Sequence, residues 1–241
     1  MQNIQNNPCS CKQKSLHLKA VLFDMDGVLF DSMPYHAKSW LKVMTTNGLT
    51  MTPIEAYMNE GRTGTSTINL IYRRQYGKEA TKELQNMIYT EKCTEFAKYP
   101  EPTRITGALE LVKKVRAGGL VPIIVTGSGQ DTLINRIERN YPNLFAQDFM
   151  VTAFDVKRGK PDPEPYLMAL QKAHLEKNEA IVIENAPLGV ESGHRAGLFT
   201  IAVNTGPLKT QVLHDAGADL TFTSMTALLE KWDEFLQTYN K

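Results

Sequence analysis

Two carboxylates stand where an apolar run ends. Val21-Leu22-Phe23 leads directly into Asp24-Met25-Asp26-Gly27. A surface turn would account for D-x-D-G by itself. Three further segments make a turn a poorer explanation, because each puts polar groups after an apolar run: Thr126-Gly127-Ser128-Gly129, Lys160-Pro161 and Glu184-Asn185. Their chemistry is complementary. One carboxylate can act as a nucleophile and a second as general acid and base. A hydroxyl, backbone N–H groups beside glycines and an ammonium can hold phosphoryl oxygens. Oxygen-bearing side chains can hold Mg²⁺, which prefers hard ligands. Such a set suits phosphoryl transfer by positioning and charge neutralisation.

These residues need a scaffold that gathers chain segments far apart in sequence. Apolar, β-branched runs at Ala20–Phe23, Pro122–Val125, Phe149–Val151, Ala180–Ile183, Phe199–Val203 and Leu220–Phe222 are expected to be strands covered on both faces. Helical patterns near Ala108–Ala117, Thr132–Asn140, Glu164–Ala173, Leu188–Arg195 and Thr226–Leu236 alternate with them. That alternation predicts an α/β fold with a parallel sheet and right-handed crossovers. Ligands in such sheets bind outside the carboxyl ends of the strands, where all four polar segments fall.

One stretch breaks the alternation. From Met33 to Ala97 the apolar residues recur at spacings of three and four, as in Trp40, Leu41 and Met44, then Ile68, Ile71 and Tyr72. Tyr99-Pro100-Glu101-Pro102 ends the pattern, since each proline disfavours helix in the residue before it. The expected organisation is therefore a disordered tail (1–16), a sheet domain from 17–32 and 103–241, and an inserted helical module (33–102). Two crossings, near Asp31–Pro34 and Lys98–Thr103, would form a hinge.

Composition narrows the function class. Among 241 residues, 27 Lys+Arg balance 26 Asp+Glu, which argues against a general nucleic-acid binder. No apolar run reaches the roughly 20 residues that span a bilayer. Three cysteines make a poor disulfide framework and favour a reducing cytoplasm. Cys9 and Cys11 form a lone C-x-C pair in the tail, too few ligands for a zinc site. A nucleotide-loop reading of Gly127-Ser128-Gly129 fails because no third glycine follows at the required spacing. A monomer is the default expectation.

Asp24-Met25-Asp26-Gly27, Val125-Thr126-Gly127-Ser128, Gly159-Lys160-Pro161 and Glu184-Asn185-x-x-x-Gly189 resemble the four ordered motifs of the haloacid dehalogenase superfamily. The helical insertion resembles the cap of its C1 branch, within the β-phosphoglucomutase-like group. The likeness runs from about Lys19 to Met225. It implies a Rossmann-like parallel sheet core with an all-helical C1 cap, acting on a small phosphorylated molecule. Asp24 would attack phosphorus and form an aspartyl-phosphate, while Asp26 would serve as acid and base. Thr126, Gly127, Ser128 and Lys160 would grip the phosphoryl group. Mg²⁺ would sit on Asp24, the Asp26 main-chain carbonyl, Glu184 and Asn185.

Asn185 departs from the group, most of whose members carry an acid there. The candidate to restore the lost charge is Glu60 in Asn59-Glu60-Gly61-Arg62, where the group's glucomutases carry lysine. Their phosphate-holding arginine aligns with Gly64, although Arg62 stands two residues earlier. An acid at Glu60 would repel the distal phosphate of a sugar bisphosphate. The combination of His36, Glu60, Lys92 and Asn185 resembles that of inorganic pyrophosphatases in the same group. The expectation is a Mg²⁺-dependent phosphohydrolase with pyrophosphate as leading substrate; the alternative is a β-phosphoglucomutase or sugar-phosphate phosphatase. His36 by itself is as well explained as an interior histidine, and Lys92 as a solvated lysine.

Overall fold

A computed structural model describes residues 15–129 and 133–241. Five strands, β1 (Ala20–Phe23), β2 (Val121–Ile124), β3 (Ala180–Glu184), β4 (Phe199–Val203) and β5 (Leu220–Phe222), form one sheet in the order β2-β1-β3-β4-β5. Every pairing is parallel. All residues of β1, β3 and β4 are buried, as continuous apolar runs require when helices cover both faces. Side chains alternate across β1. Val21 and Phe23 join a core with Leu111, Val115, Tyr141 and Trp232, whereas Ala20 and Leu22 join one with Tyr166, Ala169 and Leu170.

Helices α1 (Met33–Thr46), α2 (Pro53–Met58), α3 (Gly64–Tyr76) and α4 (Lys82–Phe96) follow β1. They bury their own cluster, including Ala37, Met44, Ile68, Ile71 and Ile88. Local chemistry fixes their starts. Thr52 and Glu55 make a reciprocal capping box at α2, and the hydroxyls of Thr63 and Thr81 cap α3 and α4. The remaining helices are α5 (Ala108–Ala117), α6 (Leu133–Asn140), α7 (Glu164–Ala173), α8 (Pro187–Arg195), α9 (Thr210–Asp215) and α10 (Met225–Tyr239). At the two crossings, Asp31 N–H donates to Thr103 O at 2.8 Å and Ile105 N–H to Leu29 O at 3.0 Å. Tyr35 and Tyr99 stack beside them at 5.2 Å.

Two expectations need correction. Phe149–Val151 is not a strand: residues 147–149 form a 3₁₀ turn, and only Val151 reaches the sheet edge, through one bridge to Val125. Three apolar residues between a 3₁₀ turn and the turn at Thr152–Asp155 are too few to sustain a ladder. The expected tail runs two residues too far, since Leu16 is buried and exchanges backbone hydrogen bonds with Tyr239 and Lys241. Helix α9 was not anticipated; six residues carry too little periodicity to stand out. Residues 1–14, with Cys9 and Cys11, lie outside the described residues. Among the described residues no helix is long and apolar enough to cross a membrane.

Candidate active site

The chain reverses its direction of travel across the sheet at β1, with β2 on one side and β3 on the other. The crevice beyond the carboxyl ends of these strands is where an open α/β sheet receives a ligand. Asp24 and Asp26 follow β1, Thr126–Ser128 follow β2, and Glu184-Asn185 close β3. The helical module covers them. Between the two parts lies a cavity of about 80 Å³, lined by Asp24, Asp26, Thr126, Gly127 and Ser128 from below and by His36, Glu60, Arg62 and Lys92 from above. Lys160, Glu184 and Asn185 are buried immediately beneath.

Lys160 organises the floor. Its ammonium donates to Asp24 Oδ1 at 2.5 Å, Glu184 Oε1 at 2.6 Å and Val125 O at 3.1 Å. Burial opposes its charge, but the two carboxylates outweigh burial and hold its pKa above the ordinary lysine value. Thr126 is buried, and its Oγ1 accepts from Ser128 N–H at 3.0 Å, which shapes the turn over Gly127. The turn runs close under the covering module, since a Cβ on Gly127 would lie 3.1 Å from Gly61 O. Gly27, at φ +83°, meets a similar limit: a Cβ would lie 2.0 Å from Asn185 Nδ2.

A second chain of contacts joins the helical module to Asp26. Lys92 Nζ lies 2.7 Å from His36 Nδ1, and His36 Nε2 lies 3.4 Å from Asp26 Oδ1. Ser32 Oγ donates to the same carboxylate oxygen at 2.5 Å. Burial alone would raise the Asp26 carboxyl, but His36, Ser32 and Arg136 prevail and bring it to about 2. Burial brings Lys92 down to about 8, and the His36 imidazole is lowered by burial and by Lys92. His36 stacks on Phe96 at 4.2 Å, and the Lys92 ammonium lies 4.9 Å from the same ring. Neither residue is a bland interior or solvated group.

Glu60 reaches down from the module. Asn185 Nδ2 donates to both its carboxylate oxygens at 3.2 Å. Burial, then the charges of Asp24 and Glu184, push Glu60 well above the ordinary carboxylate range. The Asn185 amide is placed with its nitrogen toward Glu60. That leaves Asn185 Oδ1 buried with no donor. Arg62 is held within the module, donating to Asn59 Oδ1 and Ser66 Oγ at 3.2 Å, and burial lowers its pKa.

The arrangement fits a divalent cation. An orphaned buried amide oxygen is costly unless something binds it, and Mg²⁺ favours such an oxygen. Asp24 supplies a second argument. Burial and then the Glu184 charge raise it to about 8 despite Lys160, whereas a nucleophile must be ionised. Among the described residues no group of three or more His, Cys, Asp or Glu side chains is placed to hold a metal. The available set is instead Asp24, the Asn185 amide oxygen and main-chain carbonyl groups. Both Glu184 oxygens already accept hydrogen bonds. Its Oε2 accepts from Asn185 and Ala186 N–H, and its Oε1 from Lys160 and Tyr166.

Sequence reasoning missed Ser32, Tyr89 and Tyr166. Ser32 sits at a helix start, where serine is ordinary. Tyr89 lines the cavity from α4, and a Cβ at Gly64 would lie 2.1 Å from its ring, so the glycine that replaces the expected arginine makes room for it. Tyr166 looks like a core aromatic of α7.

Known proteins share both the chain and the shape. E. coli (strain K12) hexitol phosphatase A is 31% identical over 210 residues, covering 87% of this chain and 93% of its own. The phosphorylated carbohydrates phosphatase of Thermotoga maritima is 28% identical, over 76% of this chain and 84% of its own. A Bacteroides vulgatus structure, proposed there to be a β-phosphoglucomutase, superposes with a TM-score of 0.92 at 54% identity, covering 95% of this chain and 93% of that one. The haloacid dehalogenase-like hydrolase family model matches residues 21–203, from β1 to the end of β4 and through all four polar segments. With the family's motifs gathered in one crevice, this chain is a member of the haloacid dehalogenase-like hydrolases.

Proposed function

We propose that the chain is a Mg²⁺-dependent phosphohydrolase that works through an aspartyl-phosphate on Asp24, with residues 33–102 as a cap over a catalytic core. The observation that carries this reading is the buried Lys160 ammonium bridging Asp24 and Glu184 at the mouth of the phosphate-binding turn. Asp24, the Asn185 amide oxygen and the Asp26 main-chain carbonyl would hold Mg²⁺, which when bound screens the nucleophile's charge so that an anionic phosphate can approach. An Asp24 carboxylate oxygen bonds to phosphorus as the bond to the leaving oxygen breaks. Lys160, Thr126 and the N–H groups around Gly127 hold the phosphoryl oxygens. Asp26, ionised beside His36 and Ser32, takes a proton from the water that cleaves the aspartyl-phosphate.

Two substrate classes have separate support. The named relatives act on phosphorylated carbohydrates, which supports a sugar-phosphate monoester. Pyrophosphate is the second candidate, suggested by Glu60 and Asn185 and by no relative. Glu60 stands on the cap side of the cleft with Arg62 and Lys92, and the Asp26 carboxyl near 2 is a poor acid for a sugar alkoxide. Phosphate leaves without that help. Purified protein assayed with Mg²⁺ against pyrophosphate, hexitol phosphates, hexose phosphates and β-glucose 1-phosphate plus a bisphosphate activator decides the matter. Glucose 6-phosphate formation without phosphate release would overturn the hydrolase reading. The three cysteines favour a reducing, cytoplasmic setting.

A further inference from the structure

We propose that Tyr166 is a positioning residue for the Lys160 ammonium and acts through Glu184, an inference that rests on the phosphohydrolase reading of the site. Tyr166 is fully buried on α7, on the opposite side of the sheet from the α5 and α10 core. Its hydroxyl donates to Glu184 Oε1 at 2.8 Å, and its ring lies 5.2 Å from Lys160 Nζ. The same oxygen accepts from Lys160 at 2.6 Å.

An ammonium has three protons to donate. Those of Lys160 go to Asp24, Glu184 and Val125 O, so an entering phosphoryl oxygen must displace one of these acceptors. Glu184 is the acceptor whose grip can be tuned. Its Oε2 is fixed by Asn185 N–H at 3.0 Å and Ala186 N–H at 3.3 Å, so the carboxylate cannot follow the lysine. Its Oε1 is shared with Tyr166, which supplies a hydrogen bond that does not move when Lys160 turns to the substrate. The fold reserves this position: a Cβ on Gly189 would lie 1.8 Å from Glu184 Oε1. With all its oxygens engaged in this way, Glu184 serves the ammonium, and Asp24 and Asn185 are left to the cation.

The test uses the full chain and Tyr166→Phe, which keeps the ring and removes the hydroxyl. Inorganic phosphate binding is measured by calorimetry with Mg²⁺ present, and Mn²⁺ binding by electron paramagnetic resonance without phosphate. Losing a buried hydrogen bond to a charged group is expected to weaken phosphate binding by about tenfold or more and to lower kcat/KM in parallel. Mn²⁺ affinity is expected to stay unchanged in Tyr166→Phe and to fall in Asn185→Ala. Glu184→Gln provides a second route should Tyr166→Phe melt early. Combining it with Tyr166→Phe should add little to its own loss, since the two act as one unit. Wild-type phosphate affinity in Tyr166→Phe, additive losses in the double variant, or a parallel loss of Mn²⁺ binding would each overturn the proposal. A wild-type chain that binds phosphate but hydrolyses no substrate refutes the phosphohydrolase reading instead, and the phosphate and Mn²⁺ measurements still decide the role of Tyr166.

Discussion

Closure of the cap over the core is set by a seam with no spare room, and Gly159 is the place to test it. This residue precedes Lys160 on the core side. A Cβ there would lie 2.8 Å from Thr63 Cγ2 of the cap, against an ordinary carbon contact of about 3.5–4.0 Å. Thr63 cannot simply turn its methyl away, because its hydroxyl accepts from Ser66 N–H to cap α3. Gly159→Ala must therefore open the seam or strain it. Overpacking of this size costs about 1–3 kcal/mol, which at about 1.4 kcal/mol per factor of ten lowers the closed population and kcat/KM by roughly 5- to 150-fold. Thr63→Ser removes the obstructing methyl and keeps the capping hydroxyl. The next neighbours of the new Cβ are then Thr63 N at 3.5 Å and Gly61 O at 3.7 Å, both ordinary contacts. The double variant should recover most of the lost kcat/KM in a steady-state phosphate-release assay. The melting temperature of Gly159→Ala should stay near wild type, since an open cap accommodates the methyl. Wild-type kcat/KM in the single variant, or a double variant as impaired as the single, would refute the reasoning.

Other substitutions probe the remaining parts of the site. Asp24→Asn removes the nucleophile and should abolish Mg²⁺-dependent phosphate release on every substrate, while calorimetric phosphate binding persists. Asn185→Ala removes the orphaned amide oxygen and should raise the Mg²⁺ concentration for half-maximal activity by about tenfold or more, read from a metal titration of activity. Tyr141→Phe removes the 2.7 Å hydrogen bond from the buried hydroxyl to Leu29 O, leaves that carbonyl to Ile105 N–H alone, and should cost about 0.5–1.5 kcal/mol by urea denaturation with little change in kcat. Lys92 is held near 8, so the unfolded chain binds the extra proton between about pH 8 and 10.5 and stability rises with pH across that window. Urea denaturation at pH 7.5 and 9.5 should therefore show Lys92→Met losing about 2 kcal/mol relative to wild type as pH rises; a difference independent of pH would mean that Lys92 is not strained by burial.

Much of the site is legible in the sequence because its chemistry is concentrated at strand ends. Val21–Phe23 must be a buried strand, so Asp24 and Asp26 must emerge at its carboxyl end, and the same logic places Thr126 and Glu184 beside them. The failures have physical causes. Phe149–Val151 has strand composition but only a single bridge's length of register against Val125, and composition does not report register. Leu16 looked like tail because its partners, Tyr239 and Lys241, stand at the other end of the chain. Tyr166 is the instructive omission. Its neighbours in sequence, Ala169 and Leu170, make it one more apolar position on α7, and nothing local says that its hydroxyl meets Glu184 eighteen residues away.

Glu184 shows how far motif likeness carries. An acid at the end of β3 is the expected type for a metal ligand, and the sequence places it correctly. Its role depends on what occupies its oxygens, and those partners come from Lys160, Tyr166 and the backbone turning into α8. With Glu184 bonded to Lys160, the cation on the proposed reading would fall to Asp24 and Asn185, and the Asn185 amide nitrogen donates to Glu60 of the cap. Asn185, which departs from the family's acid, is thus the residue through which the cap reaches the proposed metal position. Cap closure and cation binding should therefore be linked: Glu60→Gln, which presents an amide where Asn185 Nδ2 needs an acceptor on both oxygens, should weaken Mn²⁺ binding even though Glu60 is no ligand. Mn²⁺ affinity unchanged in Glu60→Gln would sever that link and leave Asn185 oriented by the core alone.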